Sequence, residues 1–208
     1  MKVAGIDEAG KGPVIGPMVV CGVACDDDDV EILERIGVKD SKKLKPERRR
    51  ELAEEIRRMC EVYVVKVDPE TIDRENVNDI LRRSYVEIVK ALDPDLVIVD
   101  CPDVRPERLK RFLEDATGKD VISRHRADDE FAIVSAASIV AKVERDSEIE
   151  RLKEKYGDFG SGYASDPKTV KALREWIMSG KIPPIVRRRW RTVVRLSQHS
   201  LEEFLGKV

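Results

Sequence analysis

The chain has 208 residues, of which 41% are hydrophobic and 38% are charged, and its formal net charge is -2. This composition excludes a disordered chain, which has few apolar residues and one dominant sign of charge. No apolar run approaches the roughly 20 residues that span a bilayer, and the N-terminus lacks a secretory apolar segment, so we expect a folded cytoplasmic protein.

Predicted strands and helices alternate along most of the chain. Short runs rich in Val and Ile predict strands over residues 3–6, 14–23, 61–67, 96–99 and 121–122. Apolar residues at helical spacing predict helices over residues 46–60, 77–89, 131–151, 170–178 and 198–205. These elements predict an α/β domain over residues 1–150 and a small, mostly helical C-terminal region over residues 151–208.

Four acidic side chains stand at the ends of predicted elements. Asp7 and Glu8 close the first strand, Asp100 ends the fourth, and Asp128 precedes the third helix. Strand ends of one sheet meet at one rim, so these carboxylates are expected to converge, and carboxylates without His or Cys partners select hard ions such as Mg²⁺ or Mn²⁺. Taken singly, each has an ordinary explanation: a helix cap for Asp128, a turn for Asp100, and solvent exposure for Asp7 and Glu8.

A glycine-rich segment, Gly10-Lys11-Gly12, directly follows the first predicted strand. It is not a dinucleotide-binding fingerprint, because that motif requires a helix immediately after the glycines, whereas Pro13 and a Val-rich strand follow here. Two interpretations remain open. The glycines form a tight turn, or they allow the backbone to approach a sugar-phosphate chain closely.

Four ordered stretches of the sequence resemble the motifs of the type 2 ribonucleases H. They are Gly5-Ile-Asp-Glu-Ala-Gly-Lys-Gly-Pro13, Asp40-Ser-Lys-Lys-Leu44, Ser135-Ala-Ala-Ser-Ile-Val-Ala-Lys-Val-Glu-Arg-Asp146 and Gly160-Ser-Gly-Tyr-Ala-Ser-Asp-Pro167. The resemblance implies a ribonuclease H-like fold, which is a mixed sheet flanked by helices. It also implies that Asp7, Glu8, Asp100 and Asp128 are catalytic ligands of two Mg²⁺ or Mn²⁺ ions. Asp129 is an alternative ligand to Asp128, and the motif alignment favours Asp128.

The same resemblance implies a set of substrate contacts. Gly10, Lys11 and Gly12 would sense the 2′-hydroxyl, the group that distinguishes RNA from DNA, and Tyr163 would pack on the deoxyribose that follows the ribonucleotide. Residues expected near the phosphates are Lys42, Ser138 and Lys142. Two positions depart from the family pattern. Lys11 stands where many relatives have Arg, and Ala164 replaces a frequent proline, which puts junction selectivity in doubt.

The implied activity is hydrolysis of the RNA strand of RNA/DNA hybrids and cleavage on the 5′ side of ribonucleotides embedded in duplex DNA. The products would carry a 3′-hydroxyl and a 5′-phosphate, and the implied roles are ribonucleotide excision and primer removal. A monomer is the default expectation for the oligomeric state. An alternative is a non-catalytic adaptor that binds nucleic acid or a sliding clamp. The four carboxylates argue against an adaptor, because without metal they would repel phosphate.

The C-terminal peptide has the spacing Q-x-x-L-x-x-F-L, formed by Gln198, Leu201, Phe204 and Leu205. This spacing resembles the peptide by which replication enzymes dock on the sliding clamp, and an amphipathic helix can anchor in such a groove. The alternative is a terminal helix that packs on its own domain. We expect the clamp to be a partner of this chain.

Overall fold

Five strands of the computed structural model, which describes residues 1–39 and 44–205 with side chains as far as Gln198, form one mixed sheet in the order β3-β2-β1-β4-β5. The strands are β1 (Lys2–Ala9), β2 (Met18–Asp26), β3 (Glu61–Val67), β4 (Leu96–Asp100) and β5 (Asp120–Arg124). β1 pairs antiparallel with β2 and parallel with β4, and β4 pairs parallel with β5. The carboxyl ends of β1, β4 and β5 therefore lie at the same edge of the sheet.

The helices of the described residues are α1 (Asp27–Arg35), α2 (Pro46–Met59), α3 (Pro69–Arg74), α4 (Val77–Leu92), α5 (Pro106–Thr117), α6 (Ala127–Glu130), α7 (Ala132–Tyr156), α8 (Pro167–Met178) and α9 (Arg191–Leu205). The helical spacing of apolar residues predicted α2, α4, α7, α8 and α9. α1, α3, α5 and α6 were not predicted. None of the helices is both long enough and apolar enough to cross a membrane over the residues described.

Two glycines in the central strands allow helices to lie close against the sheet. A Cβ on Gly5 would stand 2.4 Å from the carbonyl oxygen of Ile133 in α7. A Cβ on Gly22 would stand 2.2 Å from Cγ2 of Ile88 in α4. Gly22 is opposite Ile6 in the β1–β2 register, and neighbouring strand residues point to opposite faces. α7 and α4 therefore cover opposite faces of the sheet at β1 and β2.

The chain forms two compact units that interleave along the sequence. The first comprises Met1–Ala9, Val19–Lys66 and Val77–Glu144, and the second comprises Gly10–Met18, Val67–Asn76 and Arg145–Val208. The first unit has an apolar core between the sheet and α7. The second has its own core, with Phe159 and Leu173 among its fully buried residues. The predicted division at residue 150 places Gly10–Met18 and Val67–Asn76 with the first region, whereas the compact units group them with the C-terminal segment.

The predicted strand over residues 14–23 is too long at its start. β2 begins at Met18, and Gly16 before it has a φ of +87°, outside the strand region. Val14 instead donates its N–H to the Gly162 carbonyl at 2.8 Å, and Ile15 forms an isolated bridge with Val186. The apolar side chains of Val14 and Ile15 are buried in the core of the second unit rather than in the sheet.

Candidate active site

Asp7 and Glu8 lie near the carboxyl end of β1, and their side chains have partners on opposite faces of the sheet. Asp7 is 6% exposed and accepts a hydrogen bond from the hydroxyl of Ser138 in α7. The hydroxyl of Tyr85, a fully buried residue of α4, donates to Oε2 of Glu8 at 3.0 Å. The alternation expected of a strand therefore fixes two adjacent carboxylates through two different helices.

Asp100 lies beside Asp7 because the two parallel strands are in register. Ile6 is the partner of Val99 across the β1–β4 pair, so Asp7 and Asp100 are the next residues of their strands. One oxygen of Asp100, Oδ1, accepts a hydrogen bond from the backbone N–H of Ala127 at 2.8 Å. This bond ties the end of β4 to the residue immediately before Asp128.

Asp128 and Asp129 are adjacent in α6, but their environments differ. Asp128 is 7% exposed. Asp129 is exposed, and its Oδ2 lies 2.7 Å from Nη2 of Arg126. Arg126 itself has a φ of 58° in the left-handed region, where it sets the direction in which α6 begins. Burial therefore favours Asp128 over Asp129 as the member of the acidic set.

The electrostatics of Asp7 show that three of these carboxylates are close together. Burial raises the pKa of Asp7 well above its usual range, and the negative charges of Glu8 and Asp100 raise it further. The hydrogen bond from Ser138 opposes this rise in pKa only in part. A cluster of like charges of this kind favours either protonation or a bound cation.

Tyr85 experiences the same charges. Burial raises the pKa of its hydroxyl well above the usual value, and the charge of Glu8 and the hydrogen bond to Glu8 raise it further. Tyr85 therefore keeps its proton and remains a donor to Glu8. Our sequence interpretation placed this residue only in the apolar stripe of α4. The signal that could have identified it is that a buried tyrosine hydroxyl requires a partner.

The acidic side chains do not form a closed cage around an ion-sized space. Within residues 1–39 and 44–198, no group of three or more His, Cys, Asp or Glu side chains is arranged closely enough to hold a metal ion as it stands. The structure thus brings Asp7, Glu8 and Asp100 into electrostatic contact and connects Asp128 to Asp100 through the backbone. Metal binding by these four side chains remains a prediction.

Ser138 and Lys142 are the predicted phosphate contacts on α7. They are one turn apart, so they share a face of the helix. Ser138 is 1% exposed and hydrogen-bonded to Asp7, whereas Lys142 is half-buried. Ser138 is therefore placed to orient Asp7. Because Ser138 is buried, its position does not support the predicted contact with phosphate. Lys42 lies outside the described residues.

The remaining predicted substrate residues belong to the second unit. Gly10 is buried with a φ of +82°, Lys11 is half-buried and Gly12 is exposed. Tyr163 is 42% exposed, and its ring lies 5.1 Å from the guanidinium of Arg145. An exposed aromatic ring supported from beneath by a buried cation is available for packing against a sugar or base.

Arg187 is a residue of this second unit whose role the sequence did not indicate. It belongs to a run of basic residues between Lys181 and Arg195, but Arg187 itself is fully buried. Its guanidinium donates to the carbonyl oxygens of Gly10, Lys11 and Gly16 at distances between 2.6 and 3.1 Å. A run of basic residues in a sequence does not show which of its side chains is buried.

The C-terminal peptide lies in α9. Gln198 is exposed, and the side chains of Leu201, Phe204 and Leu205 lie outside the described residues. Val193 and Leu196 earlier in α9 are buried in the core of the second unit. The start of this helix is therefore part of the folded unit, and the predicted clamp-binding positions follow that part.

Similarity to known proteins identifies the family of this chain. The family model of Ribonuclease HII matches residues 4–193. The chain belongs to the ribonuclease HII family. It is therefore an enzyme, a ribonuclease of the H type, with the ribonuclease H-like mixed sheet flanked by helices that the sequence predicted.

Relatives within the ribonuclease HII family cover nearly the whole chain. The chain is 58% identical over 205 residues to Ribonuclease HII of Archaeoglobus fulgidus, covering 97% of this chain and 99% of that protein. A chain solved in the complex of PCNA with RNase HII from the same organism matches with a TM-score of 0.88 at 58% identity, covering 92% of this chain and 96% of that one. The crystal structure of ribonuclease H2 from Pyrococcus horikoshii matches with a TM-score of 0.92 at 43% identity, covering 97% and 100%.

Proposed function

We propose that this protein is an endonuclease that hydrolyses the RNA strand of RNA/DNA hybrids and cuts on the 5′ side of ribonucleotides embedded in duplex DNA. The products carry a 3′-hydroxyl and a 5′-phosphate, and the activity serves ribonucleotide excision and primer removal. The observation that carries the proposal is the buried Asp7, whose pKa is raised by its burial and by the neighbouring carboxylates of Glu8 and Asp100. A site of this kind favours a multiply charged cation and, with it, an anionic substrate such as a phosphodiester.

The residues present fit divalent cations of the hard type. The donor set consists of Asp7, Glu8, Asp100 and Asp128, and oxygen donors without thiolate or imidazole suit Mg²⁺ or Mn²⁺. When bound, a pair of such ions supplies charge stabilisation at the phosphodiester and activation of water. In the proposal all four carboxylates would hold these ions, whose positive charge would offset the repulsion that Glu8 and Asp100 exert on Asp7.

Three other groups of the chain hold the carboxylates in place. The Ser138 hydroxyl orients Asp7, the Tyr85 hydroxyl orients Glu8, and the Ala127 N–H orients Asp100. Because each donor belongs to a packed helix or its start, the carboxylates have little freedom to rotate away from an ion. Preorganisation of charged groups in this way is a large contributor to catalysis.

In this proposal, substrate recognition depends on the glycine segment, one tyrosine and two lysines. Gly10, Lys11 and Gly12 contact the ribonucleotide, Tyr163 packs on the following deoxyribose, and Lys42 and Lys142 contact phosphates. The exposure of Gly12 and Tyr163 supports these assignments. The 2′-hydroxyl is the only group that distinguishes the two kinds of nucleotide at one position, so selectivity depends on a close backbone approach.

The experiment that tests the activity uses a DNA duplex with a single embedded ribonucleotide. We expect the purified chain to nick this duplex in Mg²⁺ or Mn²⁺ and not in EDTA, and to leave an all-DNA duplex of the same sequence intact. The ends are mapped by gel mobility and by their response to phosphatase and ligase. Absence of divalent-dependent nicking would refute the proposal and favour the adaptor function.

The C-terminal peptide is proposed to dock on the sliding clamp. The support is the Q-x-x-L-x-x-F-L spacing and the solved PCNA complex of the Archaeoglobus fulgidus relative. Truncation after Ser197 removes the peptide but keeps Val193 and Leu196 in the core. We expect the truncated chain to lose clamp binding in surface plasmon resonance and to keep its intrinsic nicking rate within about twofold, since surface changes are commonly near neutral.

A matched control for this truncation is Val194→Ala. Val194 is 42% exposed on the same helix and outside the proposed motif. This variant is expected to bind the clamp as the intact chain does. Equal clamp affinity of the truncated and intact chains would show that the peptide is not the docking element.

A further inference from the structure

The buried guanidinium of Arg187 donates hydrogen bonds to three backbone carbonyls, two in the glycine segment and one at Gly16. Nη2 donates to the Gly10 oxygen at 2.6 Å and to the Gly16 oxygen at 2.9 Å, and Nη1 donates to the Lys11 oxygen at 2.9 Å. Within residues 1–39 and 44–198, no carboxylate forms an ion pair with Arg187. The carbonyl dipoles therefore provide the negative ends that this buried cation requires.

Burial and the charge of Arg145 lower the pKa of Arg187 to about 10, so the guanidinium is still protonated at neutral pH. An unpaired buried charge is costly unless it is fully hydrogen-bonded. Here the buried charge of Arg187 lies beside the glycine segment, which the proposed function places against the substrate. A packing role alone does not require a charged side chain at a position with 0% exposure.

The direction of these carbonyls fixes the direction of the following amide groups. All described peptide bonds are trans, and in a trans peptide the C=O and the next N–H point in opposite directions. Because the Gly10 and Lys11 oxygens point to Arg187, the N–H groups of Lys11 and Gly12 point away from it. The Gly12 oxygen is held by Nε1 of Trp190 at 3.2 Å, and Pro13, which follows it, has no N–H.

The two outward amide groups have no acceptor among the residues that the structure describes. Over residues 1–39 and 44–205, no oxygen is hydrogen-bonded to the N–H of Lys11 or Gly12. A Cβ on Gly12 would meet nothing within 4 Å, whereas one on Gly10 would stand 2.6 Å from Cδ of Arg145. The segment is thus packed at Gly10 and open at Gly12, which is the arrangement that lets a ligand oxygen reach both N–H groups.

We propose that Arg187 is a positioning residue for ribose selectivity: by holding the Gly10 and Lys11 carbonyls, it aims the Lys11 and Gly12 amides at an oxygen of the ribonucleotide. The cation also polarises the peptides it contacts, which strengthens their N–H groups as donors. This inference rests on the proposed function, in which the glycine segment contacts the ribonucleotide. It assigns the selectivity of that contact to a residue more than 170 positions away in the chain.

The test compares binding of two duplexes, one with a single ribonucleotide and one of DNA only, in the Asp7→Asn background so that no cleavage occurs. Fluorescence anisotropy gives the ratio of the two affinities for the parent, for Arg187→Met and for Arg187→Lys. Lysine keeps the charge but lacks the planar fork that reaches several carbonyls. We expect both variants to lower the ribonucleotide preference by about tenfold, the scale of one or two hydrogen bonds.

Arg188→Met is the matched control. It removes the same charge from the next residue, which is exposed and whose guanidinium donates to the Ile182 carbonyl. We expect this variant to keep the ribonucleotide preference of the parent. If folded Arg187→Lys also keeps that preference within about twofold, Arg187 has only a structural role and the inference is overturned. Failure of the unmutated enzyme to nick a ribonucleotide-containing duplex would instead refute the proposed function itself.

A measurement on the unmutated protein keeps the inference testable if the Arg187 variants do not fold. Hydrogen exchange followed by NMR should show fast exchange for the Lys11 and Gly12 amides in the absence of nucleic acid. Exchange at these two amides should slow when the ribonucleotide-containing duplex binds in EDTA, and less so with the all-DNA duplex. Protection of both amides in the protein alone would mean that they are already bonded internally, which contradicts the proposed geometry.

Discussion

The two compact units bury charge of opposite sign, and they stabilise it in different ways. In the first unit, Asp7 is buried beside Glu8 and Asp100, and the repulsion among them raises the pKa of Asp7. In the second unit, the buried cation Arg187 is surrounded by backbone carbonyls. The carboxylates are left with an excess of negative charge that a cation can relieve, whereas the arginine is already satisfied. The comparison separates a proposed ion-binding site from a buried cation whose hydrogen bonds are made within the protein.

The largest effect is expected from removing the central negative charge. Asp7→Asn keeps the shape of the side chain but removes one anionic ligand. We expect a loss of about 4 kcal/mol of transition-state stabilisation, which is about a thousandfold in nicking rate. Single-turnover cleavage of the ribonucleotide-containing duplex measures it, and circular dichroism checks that the variant is folded. A normal rate in the folded variant would place the reaction elsewhere.

Adjacent acidic residues in α6 give an internal comparison for the same unit. Asp128→Asn is expected to slow nicking by about a hundredfold, because a buried carboxylate of the proposed ion site is lost. Asp129→Asn removes an exposed carboxylate paired with Arg126 and should change the rate by no more than about twofold. The two rates are measured side by side at saturating Mg²⁺. The reverse ranking would mean that Asp129 is the ligand.

A smaller effect is expected from the group that orients Glu8. Tyr85→Phe removes the hydroxyl that donates to Glu8 Oε2 while keeping the buried ring. Loss of one such hydrogen bond to a charged group costs about 1.5–3 kcal/mol, so we expect kcat to fall by at least about tenfold. KM for the duplex should stay unchanged, since Tyr85 is buried and does not reach the substrate. An increase in KM with unchanged kcat would argue against this positioning role.

Local patterns predicted much of the fold. β3 has the bounds that its Val-rich run predicted, and α4 and α8 follow from apolar residues at helical spacing. The acidic residues at strand ends also predicted that carboxylates would converge, and strand order and register place Asp7 beside Asp100. These features depend on residues that are neighbours in sequence or on the general geometry of parallel strands.

The features that the sequence did not reveal are long-range side-chain contacts. Tyr85 and Glu8 are 77 residues apart, and Arg187 and Gly10 are 177 apart. Periodicity assigns Tyr85 to a buried helix face without showing what its hydroxyl meets. Arg187 stands in a basic run, and only the folded structure shows that one of these side chains turns inward. Both contacts arise from tertiary packing, which no local pattern encodes.

Asp7, Glu8, Asp100 and Asp128 are proposed to bind divalent cations together, and titration of the intact chain with Mn²⁺, followed by electron paramagnetic resonance, measures this binding. Because burial and neighbouring charges raise the pKa of Asp7, its proton must leave before a cation binds. We therefore predict that Mn²⁺ affinity rises as the pH rises through that pKa, and that Asp7→Asn weakens binding and flattens the pH dependence. Equal Mn²⁺ affinity of Asp7→Asn and the unmutated chain at every pH would show that Asp7 does not bind the cation.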